Sequence, residues 1–218
     1  MKQVIVFSHG FGVRFGYKDL LPDIVKAFSG VLCITFEYND FDERTNSLTV
    51  SPLDKQAELL KQKVTEARTA YPNARIDLIC HSQGCLVAAM AGLDNLNKVI
   101  FLAPPVDSAK SSIKMLFERP GAQYDPKSMS ILPRRDGSIT KIPAAYWDSQ
   151  SAIESINDHY QSFAKKNNLI IVTATEDEVL GDTDLSMLEN ATIHDISADH
   201  NFTGLARQKL ITYLGKVL

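Results

Sequence analysis

Cysteine is scarce in this chain of 218 residues, and the spacing of its cysteines bears on whether the chain has disulfide bonds or a zinc site. There are only three cysteines, Cys33, Cys80 and Cys85, and no two of them form a C-x-x-C pair. An odd number without paired spacing argues against both a disulfide framework and a zinc site. Because each lies in an apolar run, we expect three reduced, buried thiols.

Long apolar runs and clusters of positive charge are also missing. The apolar run nearest the N-terminus, residues 4–7, is too short for the core of a signal peptide or for a membrane span. The formal net charge is −3, and no group of lysines and arginines is dense enough to follow a phosphate backbone. The sequence therefore predicts a cytoplasmic protein with no membrane span and no nucleic-acid partner. Residues 1–218 are expected to form a single domain around one large core.

The chain does contain an alternation of short apolar runs with segments of helical periodicity. This alternation predicts an α/β fold, with a mostly parallel sheet of about six or more strands and helices on both faces. The clearest helix is predicted to begin with Ser51 as its cap and Pro52 in its first turn, and to end at Tyr71. A last helix is predicted over residues 202–217. The predicted strands are residues 4–7, 31–36, 76–80, 99–103, 169–173 and 192–196.

Residues 104–166 interrupt this rhythm, and we expect them to form a small lid-like insertion. A turn at residues 135–138 predicts a hairpin, and a helix is predicted near residues 149–165. The apolar and aromatic side chains of the insertion either roof a pocket above the sheet edge or only pack the insertion onto the domain. They are Met115, Phe117, Tyr124, Met129, Leu132, Tyr146 and Trp147.

The most informative motif is residues 80–84, Cys-His-Ser-Gln-Gly, between a predicted strand and a helix-forming segment. A serine at the apex of a sharp strand-to-helix turn holds its hydroxyl clear of the backbone. Such a turn needs small residues two positions before and two positions after the serine, here Cys80 and Gly84. Ser82 is therefore a candidate nucleophile, although it could instead only cap the helix that follows.

A serine nucleophile needs a base, usually a histidine. His200 lies in a polar loop between the last predicted strand and the last predicted helix, from which a side chain can reach across the strand ends. It is the predicted base. The other candidates are placed less well, because His81 adjoins the serine and is expected to point elsewhere, His194 lies in a strand and His159 lies in the helix of the insertion.

The carboxylate that orients the histidine is expected after the predicted strand 169–173. Residues 176–178 are Glu, Asp and Glu. Asp177 is the predicted partner, because the valine two residues further on would be buried and leave the aspartate facing the site. Asp182 and Asp184 remain alternatives.

Acyl transfer also needs N–H groups aimed at the developing oxyanion. Residues 9–12, His-Gly-Phe-Gly, follow the first predicted strand, and their glycines free backbone N–H groups to point inward. The backbone N–H groups of Phe11 and Gln83 are the predicted donors, with Gly12 as a less favoured substitute for Phe11.

In chain order, the loop 9–12, the motif 80–84, the Asp177 loop and the His200 loop resemble the α/β-hydrolase superfamily over nearly the whole chain. The likeness is to compact single-domain carboxylesterases. It implies hydrolysis of small carboxylic esters by a Ser-His-Asp triad through an acyl-enzyme, without a metal or organic cofactor. Two features depart from the family pattern, since the chain begins at the strand that is normally third and Cys80 replaces a glycine.

Other functions remain open at this point. The same residues serve thioesterases, amide hydrolases, acyltransferases and lyases, and the same fold could form a non-catalytic receptor for a small molecule. The acidic segment 37–44 either borders the site, where it would disfavour anionic substrates, or is an exposed loop. The aromatic side chains of the insertion suggest an apolar acyl or aryl group in the substrate.

Overall fold

The computed structural model describes residues 2–107, 116–181 and 183–218. Its strands, numbered along the chain, are β1 (Gln3–Ser8), β2 (Leu32–Ile34), β3 (Asp40–Asp42), β4 (Ser47–Thr49), β5 (Arg75–His81), β6 (Val99–Leu102), β7 (Met129–Pro133), β8 (Ile139–Pro143), β9 (Leu169–Ala174) and β10 (Ala191–Ile196). Its helices are α1 (Leu20–Ala27), α2 (Leu53–Ala70), α3 (Gln83–Met90), α4 (Ala144–Ser151), α5 (Ile156–Ala164) and α6 (Leu205–Val217).

The main sheet has six strands in the order β10-β9-β6-β5-β1-β2, and all neighbours are parallel. Both faces are buried. Along β1, Val4 and Val6 contribute to one core, which contains the inner faces of α2, α3 and α5, whereas Ile5 and Phe7 contribute to the other, which contains those of α1 and α6. Strands buried on both faces read as continuous apolar runs, which is why the sequence showed them. The predicted parallel sheet with helices on both faces is confirmed.

A second sheet was not predicted. It has four strands in the order β3-β4-β8-β7, and its inner side chains, including Leu48, Leu132 and Ile142, join the core beneath α2. The predicted hairpin is confirmed, because β7 and β8 pair in antiparallel fashion around the turn 135–138. The parallel pairing of β4 with β8 joins segments far apart in sequence. The acidic segment 37–44 is therefore not simply an exposed loop, since it contains β3.

Several predicted boundaries are wrong for local reasons. Ser51 does not cap α2, because its hydroxyl donates to the carbonyl oxygen of Tyr38 at 2.6 Å and the helix begins at Leu53. The helix predicted over residues 149–165 is two helices, and Ser155 caps the second by accepting a hydrogen bond from the N–H of Asp158.

The ends of two further elements also differ from the prediction. The last helix begins at Leu205 rather than at Phe202, because Phe202 and Gly204 have φ angles of 50° and 62°. The strand predicted over residues 31–36 covers only Leu32–Ile34. No helix in the described part of the chain combines the length and apolarity needed to cross a bilayer.

The three cysteines are free thiols. Cys80 and Cys85 are buried, and burial raises the pKa of both thiols well above its ordinary value. Cys33, on the edge strand β2, is only half-buried, so the prediction of three buried thiols is wrong for this residue.

Candidate active site

Ser82 lies in the sharp turn between β5 and α3. Its φ and ψ angles are 53° and −128°, a conformation that non-glycine residues adopt only where the surrounding structure imposes it. Although Ser82 occupies the N-cap position of α3, its side chain makes no capping hydrogen bond. The hydroxyl instead lies 3.0 Å from Nε2 of His200, which disfavours the capping interpretation.

The turn is held close to the end of β1, and two glycines make this approach possible. A Cβ atom on Gly84 would lie 2.5 Å from the carbonyl oxygen of Ser8 and 2.7 Å from that of His9. A Cβ atom on Gly10 would lie 3.1 Å from Cβ of Ser82. Because neither glycine has a side chain, the loop after β1 can lie directly against the turn that carries Ser82. Cys80 fills the position of the usual first glycine and is fully buried.

His200 connects Ser82 to Asp177. Its Nδ1 lies 2.7 Å from Oδ2 of Asp177, while its Nε2 faces Ser82. Because a carboxylate can only accept, Nδ1 carries the proton and Nε2 of the neutral ring is free to accept one from the serine. The backbone N–H of His200 also donates to Oε2 of Glu178 at 3.0 Å, so two adjacent carboxylates orient this residue.

Asp177 follows β9, as predicted. Its Oδ1 accepts hydrogen bonds from the N–H groups of Val179 and Leu180, both at 2.8 Å. Burial acts to raise the pKa of Asp177, but the hydrogen bond and charge of His200 together with those two N–H groups leave the pKa below its ordinary value. The carboxylate is therefore ionised at neutral pH. Asp184 accepts from the N–H of Ser186 instead, and Asp182 lies outside the described residues.

His81 was expected to point away from the site, and that expectation is wrong. Its Nε2 donates to the carbonyl oxygen of His200 at 2.9 Å, and the two rings are 4.9 Å apart. Burial, assisted by the proximity of His200, lowers the pKa of His81 to about 3, so the ring is neutral. The only sequence signal for this contact with His200 was the position of His81 beside Ser82 in the motif.

The remaining histidines have other partners. His9 is buried, and its Nδ1 donates to the carbonyl oxygen of Gly10 while its Nε2 accepts from the N–H of Tyr38, each at 3.1 Å. Burial lowers the pKa of His9 to about 4. His194 stacks on Tyr213, with ring centroids 3.9 Å apart, and His159 lies on α5.

The side chain of Gln83 is hydrogen-bonded to side chains of two other helices, α4 and α2. Its Oε1 accepts from the hydroxyl of Tyr146 at 2.6 Å, and its Nε2 donates to Oε1 of Gln56 at 3.1 Å. Gln56 in turn donates to the carbonyl oxygen of Ser51 at 2.6 Å. These contacts fix the first residue of α3, whose N–H is one predicted oxyanion donor.

The loop that carries the other predicted donor is fixed from the second sheet. The carbonyl oxygen of Gly12 accepts from Nη2 of Arg134 at 2.9 Å and from the hydroxyl of Thr140 at 3.2 Å. The guanidinium of Arg134 also lies over the ring of Phe11, at 6.0 Å from its centroid. Phe11 and Gln83 both line a cavity with Ser82.

Two cavities meet at Ser82. One, of about 320 Å³, is lined by His81 and His200. The other, of about 400 Å³, is mostly apolar and is lined by Tyr146 but not by His200. Both are lined by Ser82, Phe11, Leu116 and Val179.

The aromatic side chains of residues 104–166 do not together form a roof. Tyr146 lines the apolar cavity, whereas Phe117, Tyr124 and Trp147 pack against one another with ring centroids 5.2 to 5.9 Å apart. Leu132 is buried in the core, Met129 is exposed, and Met115 lies outside the described residues. Within the described part of the chain, no group of three or more His, Cys, Asp or Glu side chains is placed to hold a metal ion.

The six-stranded parallel sheet, the helices on both faces and the serine turn at the end of β5 are those of the α/β-hydrolase fold. No family model matches the sequence, and a comparison with curated proteins gives no match either. Solved structures do match over nearly the whole chain. The complex of Est1E from Butyrivibrio proteoclasticus with ferulic acid is 16% identical, with a TM-score of 0.70, and covers 98% of this chain and 88% of its own.

Two further structures give the same result. An esterase of Pyrococcus furiosus is 13% identical, with a TM-score of 0.68, over 98% of this chain and 80% of its own. The esterase domain of a Rhodothermus marinus protein is 16% identical, with a TM-score of 0.65, over 98% of this chain and 85% of its own. At this identity the likeness shows that the chain has the α/β-hydrolase fold.

Proposed function

We propose that this protein is a serine hydrolase that cleaves small carboxylic esters through an acyl-enzyme, with Ser82 as nucleophile, His200 as base and Asp177 as the orienting carboxylate. The observation that carries the proposal is the unbroken row of contacts from Asp177 through His200 to the serine hydroxyl, at 2.7 and 3.0 Å. The esterases among the structures of similar fold support it. Three free thiols favour a reducing compartment such as the cytoplasm.

The mechanism follows from the positions of these groups. His200 accepts the proton of Ser82 as Oγ attacks the ester carbonyl, and ionised Asp177 stabilises the imidazolium that forms. The N–H groups of Phe11 and Gln83 stabilise the oxyanion. His200 then gives its proton to the leaving alcohol, and the bond between the carbonyl carbon and the alcohol oxygen breaks.

The second half of the cycle restores the enzyme. Water attacks the acyl group on Ser82 while His200 accepts one proton from the water. The acyl group leaves as a carboxylic acid, and the proton returns to the serine. The net reaction consumes one ester and one water and yields one acid and one alcohol.

The test compares wild type with Ser82→Ala on p-nitrophenyl butanoate. We expect Ser82→Ala to lower turnover by up to ~10⁶-fold, because the bond-forming atom is removed. Ser29→Ala, on an exposed residue after α1, is the matched control and is expected to keep full activity. Circular dichroism establishes that all three proteins are folded.

Two outcomes would contradict the proposal. One is unchanged hydrolysis by folded Ser82→Ala. The other is wild-type protein that hydrolyses no ester but binds one tightly and reversibly, which would favour a receptor.

A further inference from the structure

The two cavities that meet at Ser82 differ in charge. Among the described residues that line the 320 Å³ cavity, five carry a positive charge and one, Glu178, a negative charge. None of the described residues that line the 400 Å³ cavity is charged. The positive residues are Arg14, Lys18, Arg119, Arg134 and Arg135.

Nearby carboxylates compensate part of this charge without forming ion pairs, since Glu37 interacts electrostatically with Arg14, Asp136 with Arg134 and Asp199 with Lys18. In the described part of the chain, none of the four arginines of this set takes part in an ion pair. Glu178 is already engaged, because its carboxylate accepts the N–H of His200. An anion bound in this cavity would therefore not have to break an existing ion pair of these arginines.

Arg134 is held at the cavity wall by hydrogen bonds of its guanidinium. It is half-buried, and two of its five N–H groups are used, Nε by the hydroxyl of Thr140 at 2.8 Å and Nη2 by the carbonyl oxygen of Gly12 at 2.9 Å. Both acceptors are neutral, so the guanidinium keeps its full charge at the cavity wall. Guanidinium groups bind carboxylates and phosphates well because their planar donors match the oxygens of these anions.

The position of His200 decides which part of an ester would meet these arginines. The leaving alcohol must receive its proton from Nε2 of His200. His200 lines the basic cavity and is not among the residues that line the apolar one. The alcohol would therefore occupy the basic cavity, and the acyl group would occupy the apolar cavity beside Gln83.

We infer that the substrate is an ester of an apolar carboxylic acid with an alcohol or phenol that carries an anionic group, a carboxylate or a phosphate. The inference rests on the proposed function and adds the chemistry of both halves of the substrate. Glu37, from the acidic segment, does not line this cavity and accepts the N–H of Phe15. The alternative that this segment disfavours anionic substrates is therefore not supported.

The experiment uses pairs of esters that share one acyl group. The first pair is 4-(butanoyloxy)phenylacetate and the neutral 4-(butanoyloxy)phenylacetamide, in which a methylene separates the charge from the leaving phenol. The second pair, 4-(butanoyloxy)benzyl phosphate and the corresponding benzyl alcohol, distinguishes phosphate from carboxylate. We expect kcat/KM to be about 10- to 100-fold higher for the anionic member of at least one pair, as for hydrogen bonds to charged groups.

Equal values within both pairs, or a preference for the neutral members, would overturn the inference and leave the esterase proposal intact. Hydrolysis of none of the four esters would overturn the proposed function and the inference with it. The two failures are therefore distinguishable in one assay.

Variants test whether the arginines cause the preference. The double variant Arg119→Gln/Arg135→Gln removes two exposed charges from the cavity wall, and we expect it to lower the ratio of anionic to neutral kcat/KM by about tenfold. The control Lys61→Gln/Lys209→Gln removes the same charge from the exposed faces of α2 and α6 and is expected to keep the wild-type ratio. A wild-type ratio in the arginine variant would contradict the assignment.

Discussion

The imidazole of His81 donates from Nε2 to the carbonyl oxygen of His200 at 2.9 Å. The bond joins the residue before the strained serine to the loop that carries the proposed base. It crosses 119 positions of sequence and is buried. Burial keeps His81 neutral, and because a carbonyl oxygen can only accept, the single ring proton is on Nε2.

We therefore expect His81 to act as a positioning residue. His81→Phe removes the donor, leaves the carbonyl of His200 unsatisfied and should lower kcat by about 10- to 100-fold, as for a buried polar group that loses its partner. His81→Gln places an amide near the position of Nε2 and should restore most of the loss. Steady-state kinetics on p-nitrophenyl butanoate, with unfolding curves for both variants, check this. Equal kcat for wild type and a folded His81→Phe would show that the bond has no part in turnover.

Tyr146 is expected to act through Gln83. Tyr146→Phe removes the hydroxyl that donates to Oε1 of Gln83 and should lower kcat about tenfold with a smaller effect on KM, because the proposed oxyanion donor is less firmly held. Tyr160→Phe is the matched control. Its hydroxyl is buried and has no hydrogen-bond partner among the described residues, so its removal should leave kcat unchanged. The same loss of kcat in both variants would contradict a role for the hydrogen bond between Tyr146 and Gln83 in turnover.

The aspartates after β9 provide a direct comparison of two candidates. Asp177→Asn keeps the shape of the side chain but removes the charge that contacts His200, and kcat should fall by about 10⁴-fold if Asp177 has the proposed role, as in known Ser-His-Asp triads. Asp184→Asn changes an exposed side chain that only accepts from Ser186 and should leave kcat unchanged. Measurement of kcat for both variants distinguishes them. A larger loss of kcat in Asp184→Asn than in Asp177→Asn would contradict the assignment of the orienting role to Asp177.

The buried histidines predict how stability depends on pH. Burial lowers the pKa of His9 to about 4 and that of His81 to about 3, below the ordinary value of 6.5. Between pH 6.5 and about 4, both histidines bind more protons in the unfolded chain than in the folded one. The free energy of unfolding therefore falls as the pH falls through this window. Each histidine contributes a slope of about 1.4 kcal/mol per pH unit within this window.

Urea unfolding at a series of pH values from about 7 to about 4.5 measures this slope, and His81→Gln should reduce it by about half. Carboxylates with lowered pKa values, such as Asp177, lose their contribution only at lower pH. A free energy of unfolding that is constant across the window would contradict the neutral, buried state of both histidines.

The sequence predicted the parts of this molecule whose signals are local. The strands of the main sheet read as continuous apolar runs because both faces are buried, and the turn at Ser82 combines a serine with a glycine that the close approach of Ser8 requires. The contacts of Ser82, His200 and Asp177 agree with their predicted proximity, since the ends of parallel strands meet at one edge of the sheet.

The missed parts depend on pairing between distant segments. Strands β3 and β4 have three residues each, too few to show a period, and β4 pairs with β8 only through the tertiary fold. The contact of Arg134 with Gly12 spans 122 positions, so nothing local indicated that an arginine of the hairpin reaches the loop after β1. For the same reason the basic cavity could not be predicted.

Covalent labelling with a fluorophosphonate tests the central proposal most directly, because only an activated serine reacts with such a probe at low concentration. The wild-type protein should be labelled, with the modification located at Ser82 by peptide mass spectrometry. Labelling should be lost in Ser82→Ala and should be slower in His200→Ala, which lacks the proposed base 3.0 Å from the hydroxyl. An unlabelled wild-type protein, or a label on any residue other than Ser82, would contradict the account.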